Sequence, residues 1–164
     1  MAGVPVVGYD SLRYFWNRRS PDEAAADLAA VLHRYMAEWG KTRVVLAGYS
    51  FGAGALPAIV ERLPADLRSH IRLVALVGVS SAGEFKFQVG DWMNHLAPDA
   101  YPIAPVLETL KGLPMACFYG DREKHDACAE FPADAIRRVG LTGDHHFNGN
   151  SEAVAMAIRQ VAGL

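Results

Sequence analysis

The chain has 164 residues, one domain's worth at roughly 100–200 residues per domain. Hydrophobic residues make up 51% and charged residues 21%, a globular composition that excludes an intrinsically disordered segment. Sixteen basic against eighteen acidic side chains leave a formal charge of −2, so no nucleic-acid platform is expected, since one would show a basic excess or stripe. No apolar run approaches the roughly 18–20 residues of a membrane span, so no transmembrane segment is expected. The opening Met-Ala-Gly-Val-Pro-Val-Val lacks the basic region and long apolar core of a signal peptide,. Taken alone, that start reads as cytoplasmic. Cys117 and Cys128 can make one bridge but not a disulfide scaffold,.

With no repeat, low-complexity tract or linker, residues 1–164 read as a single unit. Gly3 to Gly8 is a short apolar, β-branched run, the signal of a buried strand,. Ser20-Pro21-Asp22-Glu23 predicts a helix start: the serine caps free N–H groups, proline suits the first position, and Glu23 completes a capping box,. Leu28, Val31, Leu32, Tyr35, Met36 and Trp39 then follow at three- and four-residue spacing, an apolar stripe that Gly40 ends,. Arg43 to Ala47 predicts a second strand, running directly into Gly48-Tyr-Ser-Phe-Gly52 and a helix over 53–63. Ile71 to Val79 is apolar at nearly every position, as a parallel strand covered on both faces would be,. Residues 82–104 carry aromatic side chains without periodicity and predict a cap or lid excursion. A short helix at 105–111, strands at 115–119 and 135–141, and an amphipathic helix at 151–161 complete the order. Strand–helix alternation of this kind predicts a mostly parallel α/β sheet flanked by helices.

Gly48-Tyr49-Ser50-Phe51-Gly52 fits the G-x-S-x-G nucleophile elbow. Such a turn is so sharp that its serine takes a strained backbone, and the flanking glycines leave it space. A strand predicted directly before it and a helix directly after are the context the motif requires. A phosphate loop would need Gly-Lys-Ser/Thr, which is missing,. A nucleophilic serine needs a base, and the base needs a carboxylate to orient it. Two downstream segments offer them, Gly120-Asp-Arg-Glu-Lys-His-Asp126 and Gly143-Asp-His-His-Phe147. Each follows a predicted strand, where open parallel sheets gather their site residues. The candidates are thus Ser50, an acid among Asp121, Glu123 and Asp126, and a base at His145 or His146. A solvated polar turn is the plain reading of the histidine pair. No metal site is expected there, because neighbouring residues in a turn rarely aim at one ion, and no cofactor is implied.

The residues Gly3-Val-Pro-Val-Val-Gly-Tyr-Asp-Ser-Leu-Arg-Tyr-Phe-Trp16, the elbow and Gly143-Asp-His-His-Phe-Asn-Gly149 resemble the bacterial VirJ/AcvB virulence-protein family, through nearly the whole chain. The resemblance implies an α/β-hydrolase fold, a periplasmic protein tied to type IV secretion, and a Ser/Asp/His hydrolase of esters. Lysyl-phosphatidylglycerol, an aminoacyl-phospholipid, is the sharpest substrate it implies. A non-catalytic adaptor that holds secretion-system proteins, or a small-ester esterase or thioesterase, are the alternatives. By the same resemblance Ser50 is the nucleophile and the Phe51 backbone N–H one oxyanion donor. His145 is the base, with His146 the alternative one position on. Asp126 is the favoured acid, because aspartate is the commoner residue in such triads; Glu123 is the alternative and Asp121 the third. In a periplasmic protein Cys117 and Cys128 would bridge and clamp the acid loop; in a cytoplasmic one they would be thiols. Tyr14, Trp16, Phe85, Phe87 and Trp92 would line an acyl- or lipid-facing cleft, or simply pack. In the hydrolase sheet a further strand lies between those resembling Gly3–Gly8 and Arg43–Ala47, and the loop after it gives a second oxyanion donor. Neither has a counterpart here. The expectation is therefore an N-terminally truncated chain, nearly inactive in isolation, since one oxyanion donor is worth roughly 10²–10³ in rate.

Overall fold

The computed structural model describes residues 3–87, 100–124 and 126–164. After a one-turn helix α1 (Ser11–Tyr14), helix α2 (Pro21–Glu38) begins as its sequence dictates. The Ser20 side chain accepts from Glu23 N while the Glu23 carboxylate accepts from Ser20 N, the reciprocal pair of a capping box,. Strand β1 (Val44–Tyr49) leads through the elbow into helix α3 (Phe51–Arg62), and a short α4 (Ala65–Ser69) precedes β2 (Ile71–Val77). A two-residue antiparallel pair, β3 (Ala82–Gly83) with β4 (Tyr101–Pro102), opens onto α5 (Ile103–Thr109). Then come β5 (Met115–Gly120), β6 (Arg137–Leu141), a 3₁₀ turn at Phe147–Gly149 and α6 (Ser151–Ala162).

Four strands form one parallel sheet in the order β1-β2-β5-β6. Side chains alternate across it, which sorts the core into two layers. Leu46, Val74, Leu76 and Cys117 pack with α2, α3 and α5 on one face. Leu73, Ala75, Val77 and Phe118 pack with Val154, Ala157 and Ile158 of α6 on the other. Burial on both faces explains why β2 is apolar almost throughout. The carboxyl ends of β1, β5 and β6 therefore point one way, and the chemistry-bearing loops collect at that end. Among the described residues no helix is long and apolar enough to cross a membrane.

Two expectations change. Gly3–Gly8 is not a strand: the segment has no regular structure, and Val4, Val6 and Val7 are 44%, 80% and 39% exposed. A strand exists only through hydrogen bonds to a neighbour, and among the described residues β1, at the sheet's edge, pairs with β2 alone. The strand expected over 135–141 starts at Arg137, because Ala135 N and Ile136 N turn back to the Pro132 carbonyl. Of the lid expected at 82–104, residues 88–99, Trp92 included, lie outside the described residues. Its near end is pinned, with Phe87 N donating to the Phe15 carbonyl at 2.8 Å and Arg19 N to the Phe85 carbonyl at 3.0 Å. Phe87 meets both Phe51 and Trp16 in ring contact, at 5.7 and 6.4 Å. Phe85 is buried against Phe15 and Tyr101, and the half-buried Tyr14 packs on the same cluster while its hydroxyl donates to Asp27.

Candidate active site

Ser50 sits between β1 and α3 with φ 51° and ψ −115°, a backbone conformation that few non-glycine residues adopt,. Strain of this kind persists only where the surroundings impose it. Here Ser50 N donates to the Val77 carbonyl at 2.8 Å while Gly54 N donates back to the Ser50 carbonyl at 3.1 Å. Any side chain at Gly48 would sit 2.5 Å from the Gly52 carbonyl oxygen, so the turn closes only around glycine. As the N-cap of α3, Ser50 makes no side-chain bond to the helix. Its hydroxyl is left for other work, and Phe51 N stands at the positive end of the helix dipole.

His145, on the loop after β6, places Nε2 3.0 Å from Ser50 Oγ. Its Nδ1 lies 2.5 Å from Oε1 of Glu123, on the loop after β5. Glu123 is nearly buried, its side chain 6% exposed, and Oε2 has no hydrogen-bond partner among the described residues. A buried carboxylate with one oxygen unsatisfied is costly; the His145 contact is what holds this one. Gly78, at φ 58° just past β2, makes the room, because a side chain there would reach within 3.0 Å of His145 Cε1.

The favoured acid is corrected by this arrangement. Asp126 does not reach His145: its Oδ1 accepts from Cys128 N at 2.8 Å, which closes a local turn. Burial, and then the charges of Glu123 and Glu130, push its carboxyl above the usual range despite that bond. Asp121 is engaged elsewhere, accepting from Gly143 N at 2.9 Å and so stitching the acid loop to the histidine loop. The alternative base is displaced as well. His146 Nδ1 lies 2.8 Å from the Tyr49 hydroxyl, which also donates to the His145 carbonyl at 3.1 Å. Sequence reasoning missed Tyr49, the variable residue before the serine, and Gly78. The G-x-S-x-G pattern says nothing about either.

Cys117 of β5 and Cys128 are joined in a disulfide, both fully buried, and it anchors the loop that carries Glu123. Their sulfurs and a carboxylate oxygen of Asp126 lie within 4.8 Å of one another, but the disulfide leaves no thiolate to hold a metal. An apolar groove of about 360 Å³ runs from Tyr49 and His146 along Phe147, Val154 and Ile158 of the α6 side. A larger cleft, about 630 Å³, lies among Arg19, Arg62, Phe85 and Tyr101, and neither Ser50, Glu123 nor His145 lines it. Those three residues do not line the smaller groove either, but Tyr49 and His146, the chain neighbours of Ser50 and His145, do.

A family model described as bacterial virulence protein (VirJ) matches residues 1–162. Carboxylesterase Culp1 of Mycobacterium tuberculosis is 33% identical over 81 residues. That match covers 49% of this chain and 36% of the curated protein, so it spans about a third of the relative's length. Among solved structures, Est1E from Butyrivibrio proteoclasticus, with ferulic acid bound, superposes with a TM-score of 0.57 at 14% identity, covering 87% of this chain and 67% of that one. Esterase RhEst1 from Rhodococcus sp. ECU1013 gives 0.55 at 14%, covering 89% and 74%. At such identities the likeness establishes the fold, that of the α/β-hydrolases.

Proposed function

Because the chain belongs to the VirJ family of bacterial virulence proteins, we propose that it hydrolyses carboxylic esters, with Ser50 as nucleophile, His145 as base and Glu123 as the orienting carboxylate. One observation carries the reading. Glu123 Oε1, the His145 ring and Ser50 Oγ form an unbroken line, with steps of 2.5 and 3.0 Å. The Glu123 contact fixes the proton of neutral His145 on Nδ1, so that Nε2 presents its lone pair to the serine. Ser50 Oγ attacks the ester carbonyl as Nε2 takes its proton, and the oxyanion forms beside Phe51 N–H. The imidazolium, stabilised by Glu123, returns that proton to the departing alcohol. Water, deprotonated by Nε2, then attacks the acyl-serine and frees the acid. The 33% identity to a carboxylesterase supports the same chemistry.

For the substrate we propose an aminoacyl-phospholipid such as lysyl-phosphatidylglycerol, as the family resemblance implies. Phe51, Phe87 and Trp16, in ring contact beside the elbow, would receive its apolar portion. The Cys117–Cys128 bridge supports the oxidising periplasm as its compartment,. A fluorophosphonate probe should label Ser50, and vesicles of lysyl-phosphatidylglycerol should release lysine. A protein that fails to react with the probe is an adaptor on a hydrolase fold, the reading this experiment is meant to exclude.

A further inference from the structure

We propose that His146 is a specificity-determining residue: held as its Nδ1–H tautomer by Tyr49, it offers Nε2 as a hydrogen-bond acceptor to an O–H or N–H donor carried by the ester. This rests on the esterase reading of the same site and says which esters it prefers. A tyrosine hydroxyl has one proton to give. That of Tyr49 lies 3.1 Å from the His145 carbonyl oxygen and 2.8 Å from His146 Nδ1. The carbonyl can only accept, so its bond takes the tyrosine's proton. The second bond can then exist only with His146 Nδ1 as donor and the tyrosine oxygen as acceptor. Burial, followed by the charges of Glu123 and Asp144, raises the Tyr49 pKa, so its hydroxyl stays protonated. The loop is also held from the backbone, where His146 N donates to Asp144 Oδ1 at 2.9 Å.

A neutral imidazole with its proton on Nδ1 has a bare lone pair on Nε2. The His146 ring lies 5.3 Å from that of His145, centroid to centroid, and lines the groove of about 360 Å³. The groove is otherwise mostly apolar, so an acceptor at its rim discriminates by what the substrate can donate. An ester with a hydroxyl or primary ammonium near the reacting carbonyl would satisfy it. An ester without such a group would leave the nitrogen unpaired once water is displaced.

Two measurements test this. The first needs no activity: long-range ¹H–¹⁵N correlation at mildly alkaline pH reads which nitrogen of each neutral histidine carries the proton, and the His146 signal is identified by its loss in His146→Phe. Nδ1–H is expected at His146, relaxing toward a mixture in Tyr49→Phe. Nε2–H in the unsubstituted protein overturns the proposal. The second compares kcat/KM for matched esters with a hydroxyl, with an ammonium and with neither. His146→Phe should lower the ratio of hydroxyl-bearing to donor-free ester by roughly 3- to 10-fold, the span of one lost neutral hydrogen bond, and that of the ammonium-bearing ester by about 10-fold or more, since its bond is charged. A fall confined to one of the two donors supports the proposal and names the donor, whereas unchanged ratios overturn it. If Ser50→Ala hydrolyses all three as fast as the parent, the esterase reading fails, and the tautomer result still stands by itself.

Discussion

The two sides of the sheet's carboxyl end are built differently. On the β5–β6 side, Asp121 N donates to the Leu141 carbonyl, Arg122 N to the Gly143 carbonyl, and Gly143 N to the Asp121 carboxylate. Arg122 reaches Asn148, and a disulfide closes the loop from below. On the β1 side, residues 3–9 make no backbone hydrogen bond to another described residue, and Tyr9 and Leu12 are exposed. Past them, Ser11 lies against Gly52 of the elbow and Phe15 meets the Phe51 ring at 5.5 Å. The proposed proton transfer demands tenths of an ångström, and the cross-stitched side would hold Glu123 and His145 to that precision. The open side contributes surface, not alignment.

Substitutions can break that contrast, beginning with the largest effect. Ser50→Ala should lower esterase turnover by roughly 10³–10⁶-fold with an unchanged circular dichroism spectrum. Glu123→Gln should cost on the order of 10²–10⁴-fold while Asp126→Asn costs less than about tenfold, since the amide oxygen still accepts from Cys128 N. A larger loss at Asp126 in steady-state kinetics would return the acid's role to it. Replacing Cys117 and Cys128 by serine should reduce unfolding stability by about 2–3 kcal/mol, for a loop of 11 residues' separation,, as urea titration with and without reductant would read. On the open side, Val6→Ser should shift stability by no more than about 0.5 kcal/mol; a larger shift would mean that residues 3–8 pack after all.

Acidification supplies a finer probe of the stitched side. Asp144 accepts from His146 N and Asn148 N, which hold its carboxyl below the usual 3.8. Its folded pKa lies below the unfolded one, so its contribution is complete above the ordinary carboxylate range and is lost as pH falls through the lowered value. Asp144→Asn should flatten the acid limb of the melting temperature plotted against pH.

Much of this was legible in the residues, for reasons that differ from place to place. The start of α2 was readable because Ser20, Pro21 and Glu23 act within one turn. The elbow was readable because its glycines answer a local steric demand. The acid was not, since Asp121, Glu123 and Asp126 are alike in chemistry, and only the path of the loop decides which reaches His145. A general preference for aspartate carried no information about that path. The run Gly3–Gly8 has strand composition, yet composition cannot supply a neighbouring strand. Tyr49 escaped notice because its partners lie 96 and 97 residues away.

The left-handed backbone at position 50 also filters what this scaffold can become. Glycine would occupy φ 51° without strain,, so the backbone at this position is strained by the very side chain it presents. Threonine, branched at Cβ, is shut out by the same angle, while cysteine, with serine's shape, is admitted. On the proposed chemistry, the hydroxyl is what serine offers at a place where the backbone favours glycine.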